Sequence, residues 1–427
     1  MQPYDYQMKA ARTLVGSGHK MLAADMGTGK TIMVLTALKL LGEPKTVILC
    51  PAVAVTNWGR EIIRWGNDPD TIKVLSYDKA RNSNHRTRLQ EEGYNVLVLD
   101  EAHYLKNREA KRTLVVYGAN GLAKFASRVW LLSGTFAPNN ASEYYPHLRT
   151  LFSSFLPSGV TSYQRFINYF CYTKLQPVRI RNRIQYIETI YANKNVPELR
   201  NILQQTSIRI KAADVLPELP PLSWGSLALE SKTLKKNLSS YTEEVQNYLN
   251  QLLSDYAYQP PFNPHIMRIR RLICEAKVEP VGHWLQDFLE SSTDKIVVFA
   301  HHVNVLETLH QKFREQSVLL TGSVPSNKRG DLVESFQRKP KIRIFFGQLT
   351  AANTAITLTA ARRVLFLDQS FVPGENLQAA SRCHRIGQHH PVIAQVVMIA
   401  NSVDEKVESI LLRKTQMLTE LEYANEN

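Results

Sequence analysis

Four cysteines, Cys50, Cys171, Cys274 and Cys383, are all that 427 residues contain, and no two stand in a Cys-x-x-Cys pair. That spacing indicates neither a zinc site nor a disulfide framework, and it suits a reducing compartment. Long apolar runs are missing as well, and none reaches the roughly 20 residues of a membrane span. The opening Met1-Gln2-Pro3-Tyr4-Asp5-Tyr6 has no basic segment followed by an apolar one, so no signal peptide is expected. Short-period repeats are absent. Acidic side chains are outnumbered: 38 Asp and Glu face 52 Lys and Arg, a net charge of +14 with a pI near 9.5. Without long basic tails, that excess suggests a polyanionic partner, nucleic acid first. The expectation is a soluble intracellular protein with no membrane association, large enough for two or three domains.

What is present centres on Ala24-Asp25-Met26-Gly27-Thr28-Gly29-Lys30-Thr31. An apolar run, His19 to Ala23, leads in, and a helical run, Ile32 to Leu41, leads out. Strand, small-residue turn and Lys-Thr opening a helix form the layout of a phosphate-binding loop, whose backbone N–H groups and helix N-terminus face the phosphates. The general pattern begins with Gly, whereas this loop begins with Ala24. Met26, Gly27, Thr28 and Gly29 would wrap the phosphates of ATP. Lys30 would reach the β- and γ-phosphates, and Thr31 would hold Mg²⁺. An ordinary βα turn is the alternative from this stretch alone.

The chain divides into three by pattern. Residues 1–157 alternate short apolar strands (Thr46–Cys50, Ile72–Ser76, Asn95–Asp100, Arg128–Leu132) with helices (Ile32–Leu41, Asn57–Trp65), which argues for a parallel sheet covered on both faces. Residues 158–279 change character. Val178–Tyr186 alternates apolar with basic or polar residues, as a half-exposed strand or hairpin arm does, Ser231–Tyr258 reads as a polar helix, and Ile266–Ala276 reads as a basic one. This part is expected to be a helical insertion and linker rather than a sheet domain. From 280 to 427 the alternation returns, with strands at Lys295–Ala300, Ser317–Thr321, Ile342–Gly347, Val364–Asp368 and Val392–Ile399. Helices are expected there at Val305–Glu315, Lys328–Arg338, Glu375–Arg385 and Val403–Leu421.

Asn95-Val96-Leu97-Val98-Leu99-Asp100-Glu101-Ala102-His103 delivers two carboxylates at the end of an apolar strand, where sheets of this type bind ligands. Asp100 would hold Mg²⁺, Glu101 would polarise the water that attacks the γ-phosphate, and His103 would link the nucleotide to the rest of the protein. Alone, Asp-Glu-Ala-His could be a solvated strand end. Arg382 and Arg385, three apart, would share one helix face, and a guanidinium that meets the γ-phosphate only in a closed site acts as an arginine finger. Elsewhere two arginines so spaced form a solvated basic face.

Asp100 to Asn107, Asp-Glu-Ala-His-Tyr-Leu-Lys-Asn, resembles the Swi/Snf-type ATPases of helicase superfamily two. The resemblance extends along nearly the whole chain: Tyr6-Gln7, Pro51 with Asn57-Trp58, Glu61 and Trp65, Ser133-Gly134-Thr135, Ile208 to Pro217, Val297 to His301, and the highly specific Gln378 to Gln388. Within the family, Pro138-Asn139, Glu143-Tyr144, Phe166, Tyr169-Phe170-Cys171, Ala351-Ala352-Asn353 and Val372-Pro373-Gly374 are most similar to the HepA-related annealing helicases and their bacterial and phage relatives. The resemblance implies an α/β fold of two RecA-like parallel-sheet lobes with a helical insertion, closing on ATP·Mg²⁺ between them. It implies that Gln7 reads adenine, that Ser133 and Thr135 couple ATP state to DNA, that Arg385 is the finger, and that Arg382 and Gln378 belong to the same catalytic motif.

The implied activity is that of an ATP-driven translocase on double-stranded or forked DNA, acting in fork remodelling, annealing or repair. It would work as a monomer, with replication or recombination proteins as further partners. A phage or bacterial cytoplasm would suit so bare a motor, and a nucleus if the source is eukaryotic. A strand-separating DNA or RNA helicase, and a nucleotide-switched DNA scaffold with little turnover, are the rivals. Thr56, Asn57, Trp58, His301, Ser323, Thr350 and Thr354 are candidate DNA contacts, without sequence reading. For Trp58, packing against its own lobe is the plainer alternative to stacking on a base. The clusters Arg179, Arg181, Arg183 and Arg268, Arg270, Arg271 read more simply as solvated faces. Three departures from the family pattern stand out: Phe136 in place of Pro, Ala355 in place of Gly, and Ala380-Ser381 in place of an acidic pair.

Overall fold

A computed structural model describes residues 2–137, 139–180, 183–230, 264–352, 356–370 and 372–399. The helices expected at 231–258 and 403–421 lie outside these residues, as do Arg181, Asn353, Thr354 and Ala355 and the side chains of Arg179, Arg183 and Arg268.

The chain forms two compact units. Among the described residues, one takes the chain up to Tyr172 together with Ala192–Pro217, and the other takes Thr173–Tyr191 and the chain from Glu218 to Ile399. The first unit holds β1 (His19–Ala24), β2 (Thr46–Cys50), β3 (Ile72–Ser76), β4 (Val96–Asp100), β5 (Arg128–Ser133) and β8 (Ser207–Ile210). They form one parallel sheet in the order β3-β2-β4-β5-β1-β8. Register pairs Met21 with Leu131 on one side and with Ser207 on the other. Val96 to Leu99 are fully buried, because a central parallel strand is covered on both faces, and this is why its sequence is continuously apolar. Helices α1 (Asp5–Val15), α2 (Lys30–Leu40) and α3 (Val55–Arg64) cover one face. Ala11, Leu14, Met33, Val34, Leu38, Trp58 and Ile62 pack there on Leu22, Ile48, Val96, Val98 and Trp130. Gly42, at φ +75°, ends α2 in the left-handed conformation that suits glycine.

The second sheet is also all parallel. Its order is β11-β12-β10-β13-β14-β9, built from β9 (Leu222–Leu229), β10 (Lys295–Ala300), β11 (Ser317–Leu320), β12 (Ile344–Gln348), β13 (Ala361–Phe366) and β14 (Val392–Ile399). Successive residues of β10 feed opposite cores. Val297 and Phe299 pack with Phe336, Phe345 and Phe366, while Ile296 and Val298 pack with Leu285, Leu309, Phe346 and Leu365. Between the sheets in sequence, β6 (Cys171–Ile180) and β7 (Arg183–Asn193) form a separate two-stranded hairpin, as the alternation around Val178–Tyr186 implies.

The stretch read from sequence as insertion and linker also contributes one edge strand to each sheet, β8 beside β1 and β9 beside β14. Both are edges, and most of β9 is exposed, so neither carries the continuous apolar signal of a central strand. A second difference concerns the expected helix Glu375–Arg385. It runs from Pro373 to Ala380, so Arg382 and Arg385 do not share a helix face. Past Ala380 the chain tightens into three-residue turns, with Arg382 N–H donating to the Ala379 carbonyl at 3.1 Å and Cys383 N–H to the Ala380 carbonyl at 3.0 Å.

Phe345 is fully buried in the second unit. Phe345→Ala should cost about 3–5 kcal/mol by removing the ring and leaving a cavity, read as a lowered midpoint in urea denaturation followed by circular dichroism. A loss below about 1 kcal/mol would contradict this packing.

Candidate active site

The loop after β1 is shaped by two glycines in left-handed conformations, Gly27 (φ +80°) and Gly29 (φ +86°). Gly29 is needed twice over, because a Cβ there would also fall 2.4 Å from Gln7 Nε2. Gln7 is 1% exposed on α1. Its Nε2 donates to the Thr28 carbonyl at 3.0 Å, and its Oε1 accepts from Tyr4 N–H at 3.0 Å. The Tyr6 hydroxyl donates to the same Thr28 carbonyl at 3.0 Å. The Thr28 hydroxyl donates to the Asp25 carbonyl at 2.7 Å, and Lys30 Nζ donates to the Ala24 carbonyl at 2.7 Å. The carbonyl ends of these peptides are thus bonded within the protein, and the loop runs into the N-terminus of α2, where backbone N–H groups favour an anion. Met26 and Thr31 lie half-buried on either side of the glycines.

Two strands away, β4 presents Asp100. Its Oδ1 accepts from Glu101 N–H at 3.0 Å, its Oδ2 accepts from the Trp58 indole at 2.8 Å, and its carbonyl accepts the Tyr77 hydroxyl at 2.9 Å. Glu101 itself sits at φ +50°, a conformation costly for a side chain of its kind and one that collects at functional sites. Glu101 Oε2 lies 3.3 Å from His103 Nδ1, which lies 3.3 Å from Ser133 Oγ. Ser133 Oγ donates to the Thr135 carbonyl at 2.7 Å and accepts from Thr135 N–H at 3.2 Å. A continuous polar chain therefore joins the carboxylate pair to the Ser133–Thr135 turn at the end of β5.

Burial, and then the neighbouring Glu101 charge, raises Asp100 from 3.8 to about 6, against the opposing pull of the Trp58 indole and Lys30. A buried carboxylate whose ionisation its neighbour disfavours, beside a phosphate-binding loop, is a donor suited to a hard divalent cation. Asp100 offers such a carboxylate at the end of β4, and Thr31 lies in the first turn of α2, one residue after Lys30.

Trp58 is corrected as a DNA contact. Its side chain is 1% exposed and committed to Asp100, so it offers no surface to a base. Thr56 is exposed and Asn57 half-buried on the same helix. In the second unit, His301, Ser323 and Thr350 follow β10, β11 and β12, three adjacent strands, at their C-terminal ends. Ser323 and Thr350 are exposed, and His301 N–H is held by Asp368 Oδ1 at 2.7 Å. Gln378 and Arg382 are buried at 5% and 6% exposure. Arg385 is half-buried, and its Nη1 donates to Thr357 Oγ1 at 2.9 Å and to the Ile356 carbonyl at 3.2 Å. Sequence reasoning missed Gln388 as a structural hub: its Nε2 meets the carbonyls of Thr359, Ala361 and Cys383, and its Oε1 accepts from His389 and His390 N–H. It also missed Tyr77 and α1.

The family profile described as the SNF2-related domain matches residues 6–98 and 70–278, and the helicase conserved C-terminal domain matches residues 277–387. The chain belongs to the SNF2-related family. Among curated SNF2-related proteins, the Caenorhabditis elegans homolog of "SWI/SNF-related matrix-associated actin-dependent regulator of chromatin subfamily A-like protein 1" is 26% identical over 438 residues, 96% of this chain and 60% of that protein. "DNA annealing helicase and endonuclease ZRANB3" of Bos taurus is 27% identical over 426 residues, 94% of this chain and 38% of that protein. The chain thus spans between 38% and 60% of the length of these relatives. A Sulfolobus solfataricus SWI2/SNF2 ATPase core solved with dsDNA aligns over 99% of this chain and 96% of that one at 19% identity and TM-score 0.42, too loose a superposition to add to the assignment.

The Asp100 environment sets a sign for pH dependence. Its folded pKa, about 6, lies above the ordinary 3.8, so ionising it in the folded state is unfavourable. The penalty is absent below the unfolded value, grows as pH rises through the interval, and is complete above the folded value. Asp100→Asn should therefore melt higher than the parent at pH 8 in metal-free buffer, with the gap closing as pH falls to 4. An equal or lower melting temperature at pH 8 would refute the assignment of strain to this carboxylate.

Proposed function

We propose that this chain hydrolyses ATP in response to duplex DNA and uses the cycle to move along it, at forks or repair sites. The observation that carries the reading is the polar chain from Glu101 through His103 to Ser133, which starts at the carboxylates beside the phosphate loop. A site built only to bind nucleotide would have no need of that connection. In this reading the loop from Met26 to Thr31 holds the phosphates, with Lys30 opposite the β- and γ-phosphates and Glu101 as the base that orients the attacking water. Mg²⁺ held by Thr31 and Asp100 would supply charge neutralisation on the phosphate oxygens. Gln7 fixes the loop and is assigned to adenine by resemblance. The roles of Gln378, Arg382 and Arg385 rest on their stretch's likeness to the family motif.

Thr56 and Asn57, with His301, Ser323 and Thr350, are proposed to meet phosphate and sugar, which gives salt-sensitive binding without sequence preference. The names of the relatives, annealing helicase and chromatin regulator, support a double-stranded or forked DNA partner. A reducing compartment suits the four cysteines, all free and buried. Among the described residues no helix is long and apolar enough to cross a membrane.

Steady-state ATPase assays with no DNA, single strands, duplex and forks test the proposal. Duplex or fork should stimulate turnover, Lys30→Ala should abolish it, and Arg385→Ala should lower it by about 10³-fold or more. Equal rates with and without every DNA would overturn the reading, and retained turnover in Lys30→Ala would overturn the site.

A further inference from the structure

We propose that Arg209 is a positioning residue that fastens the phosphate loop to the Ser133–Thr135 turn, so that the loop and the turn move as one body. The inference rests on the proposed ATPase reading and adds a second mechanical link to the one through His103.

Arg209 lies on β8, directly opposite Ala23 in the pairing of β8 with β1. From that edge position its guanidinium reaches three places. Nη2 pairs with Asp25 Oδ1 at 3.0 Å, and Nη1 donates to the Ala23 carbonyl at 3.1 Å and to the Gly134 carbonyl at 3.4 Å. Asp25, the second residue of the loop, is held from the same side at two more points. Its Oδ2 accepts from Ala212 N–H at 2.9 Å, and its own N–H donates to the Ile210 carbonyl at 2.9 Å. The turn packs closely on the loop, since a Cβ on Gly134 would lie 3.5 Å from the Met26 methyl and 3.7 Å from the Ala24 carbonyl. Arg209 thus bridges the strand end before the loop, the acid within it and the backbone of the coupling turn.

The chemistry separates two jobs. The positive charge neutralises Asp25, which would otherwise place an uncompensated carboxylate in a loop that must accept phosphates. The planar fork, with five donors in fixed geometry, serves the carboxylate and the carbonyls together, and the single ammonium of lysine cannot span them in this way. Arg209→Lys keeps the charge and loses the span. Arg209→Ala loses both.

The test uses the full chain in three forms: parent, Arg209→Lys and Arg209→Ala. Two readouts are taken, the dissociation constant of a fluorescent ADP analogue without DNA, and ATPase kcat and KM with and without duplex. Arg209→Lys should bind the analogue within about threefold of the parent but lose most of the DNA stimulation of kcat, while Arg209→Ala should also bind the analogue about tenfold more weakly. Adding Asp25→Asn to Arg209→Ala should recover most of the nucleotide affinity without recovering stimulation. Full stimulation in Arg209→Lys overturns the bridge. Unchanged analogue binding in Arg209→Ala, or no recovery on adding Asp25→Asn, overturns the charge role. If Arg209→Ala does not fold by thermal melt, the Arg209→Lys comparison decides. If the parent itself shows no DNA stimulation, the proposed function fails, and the binding arm alone decides on Arg209.

Discussion

In an all-parallel sheet every strand ends at the same edge, and the chemistry of this chain depends on that constraint. The ends of β1, β4 and β5 are neighbours, so the loop carrying Lys30, the carboxylates Asp100 and Glu101, and the turn carrying Ser133 and Thr135 come together although they span more than 100 residues of sequence. Covering both faces with helices lets the strands be apolar throughout and leaves their ends as the place where polar groups can be held with few partners. The Trp58 indole and the Glu101 N–H hold Asp100 in place. The strained backbone at Glu101 then turns its side chain toward His103 rather than into the core.

Much of this was legible in the sequence because central parallel strands are unambiguous apolar runs. The inner strands Thr46–Cys50, Lys295–Ala300 and Val392–Ile399 have the bounds their patterns imply, and so does the edge strand Ile72–Ser76. The glycine loop and the Asp-Glu pair could be placed at strand ends for the same reason. Two of the edge strands were not legible: Ser207–Ile210 is four residues long, and Leu222–Leu229 is mostly exposed, so each is defined by its neighbour rather than by its own composition. The end of the helix at Ala380 was hidden too, because the side chain that closes the following turns, Gln388, lies eight residues on. Trp58 shows the other limit. An aromatic beside polar residues reads equally as a surface contact or a core donor, and only the position of Asp100 decides it.

The departures from the family pattern have structural context. Phe136 is 2% exposed and packs edge-on against His147, with ring centroids 5.8 Å apart, so a larger side chain after the Ser133–Thr135 turn is accommodated by an aromatic cluster. Burial holds His147 well below its ordinary pKa, near 3, and the neutral ring bonds the Tyr117 hydroxyl at 2.9 Å. Ala380 and Ser381 are 0% and 6% exposed, positions where a carboxylate would need a partner inside the fold. Small neutral residues there avoid that cost. None of these changes replaces Lys30, Asp100 or Glu101.

We propose that hydrolysis at the first sheet's edge is converted into movement along duplex DNA. Displacement of a labelled third strand from a triplex carrying a duplex track tests it most directly, because a motor on duplex strips the third strand without separating the duplex. Displacement should depend on ATP, be absent in Lys30→Ala and leave the underlying duplex paired. An intact triplex under conditions where the same protein hydrolyses ATP, or separation of the duplex itself, would contradict it.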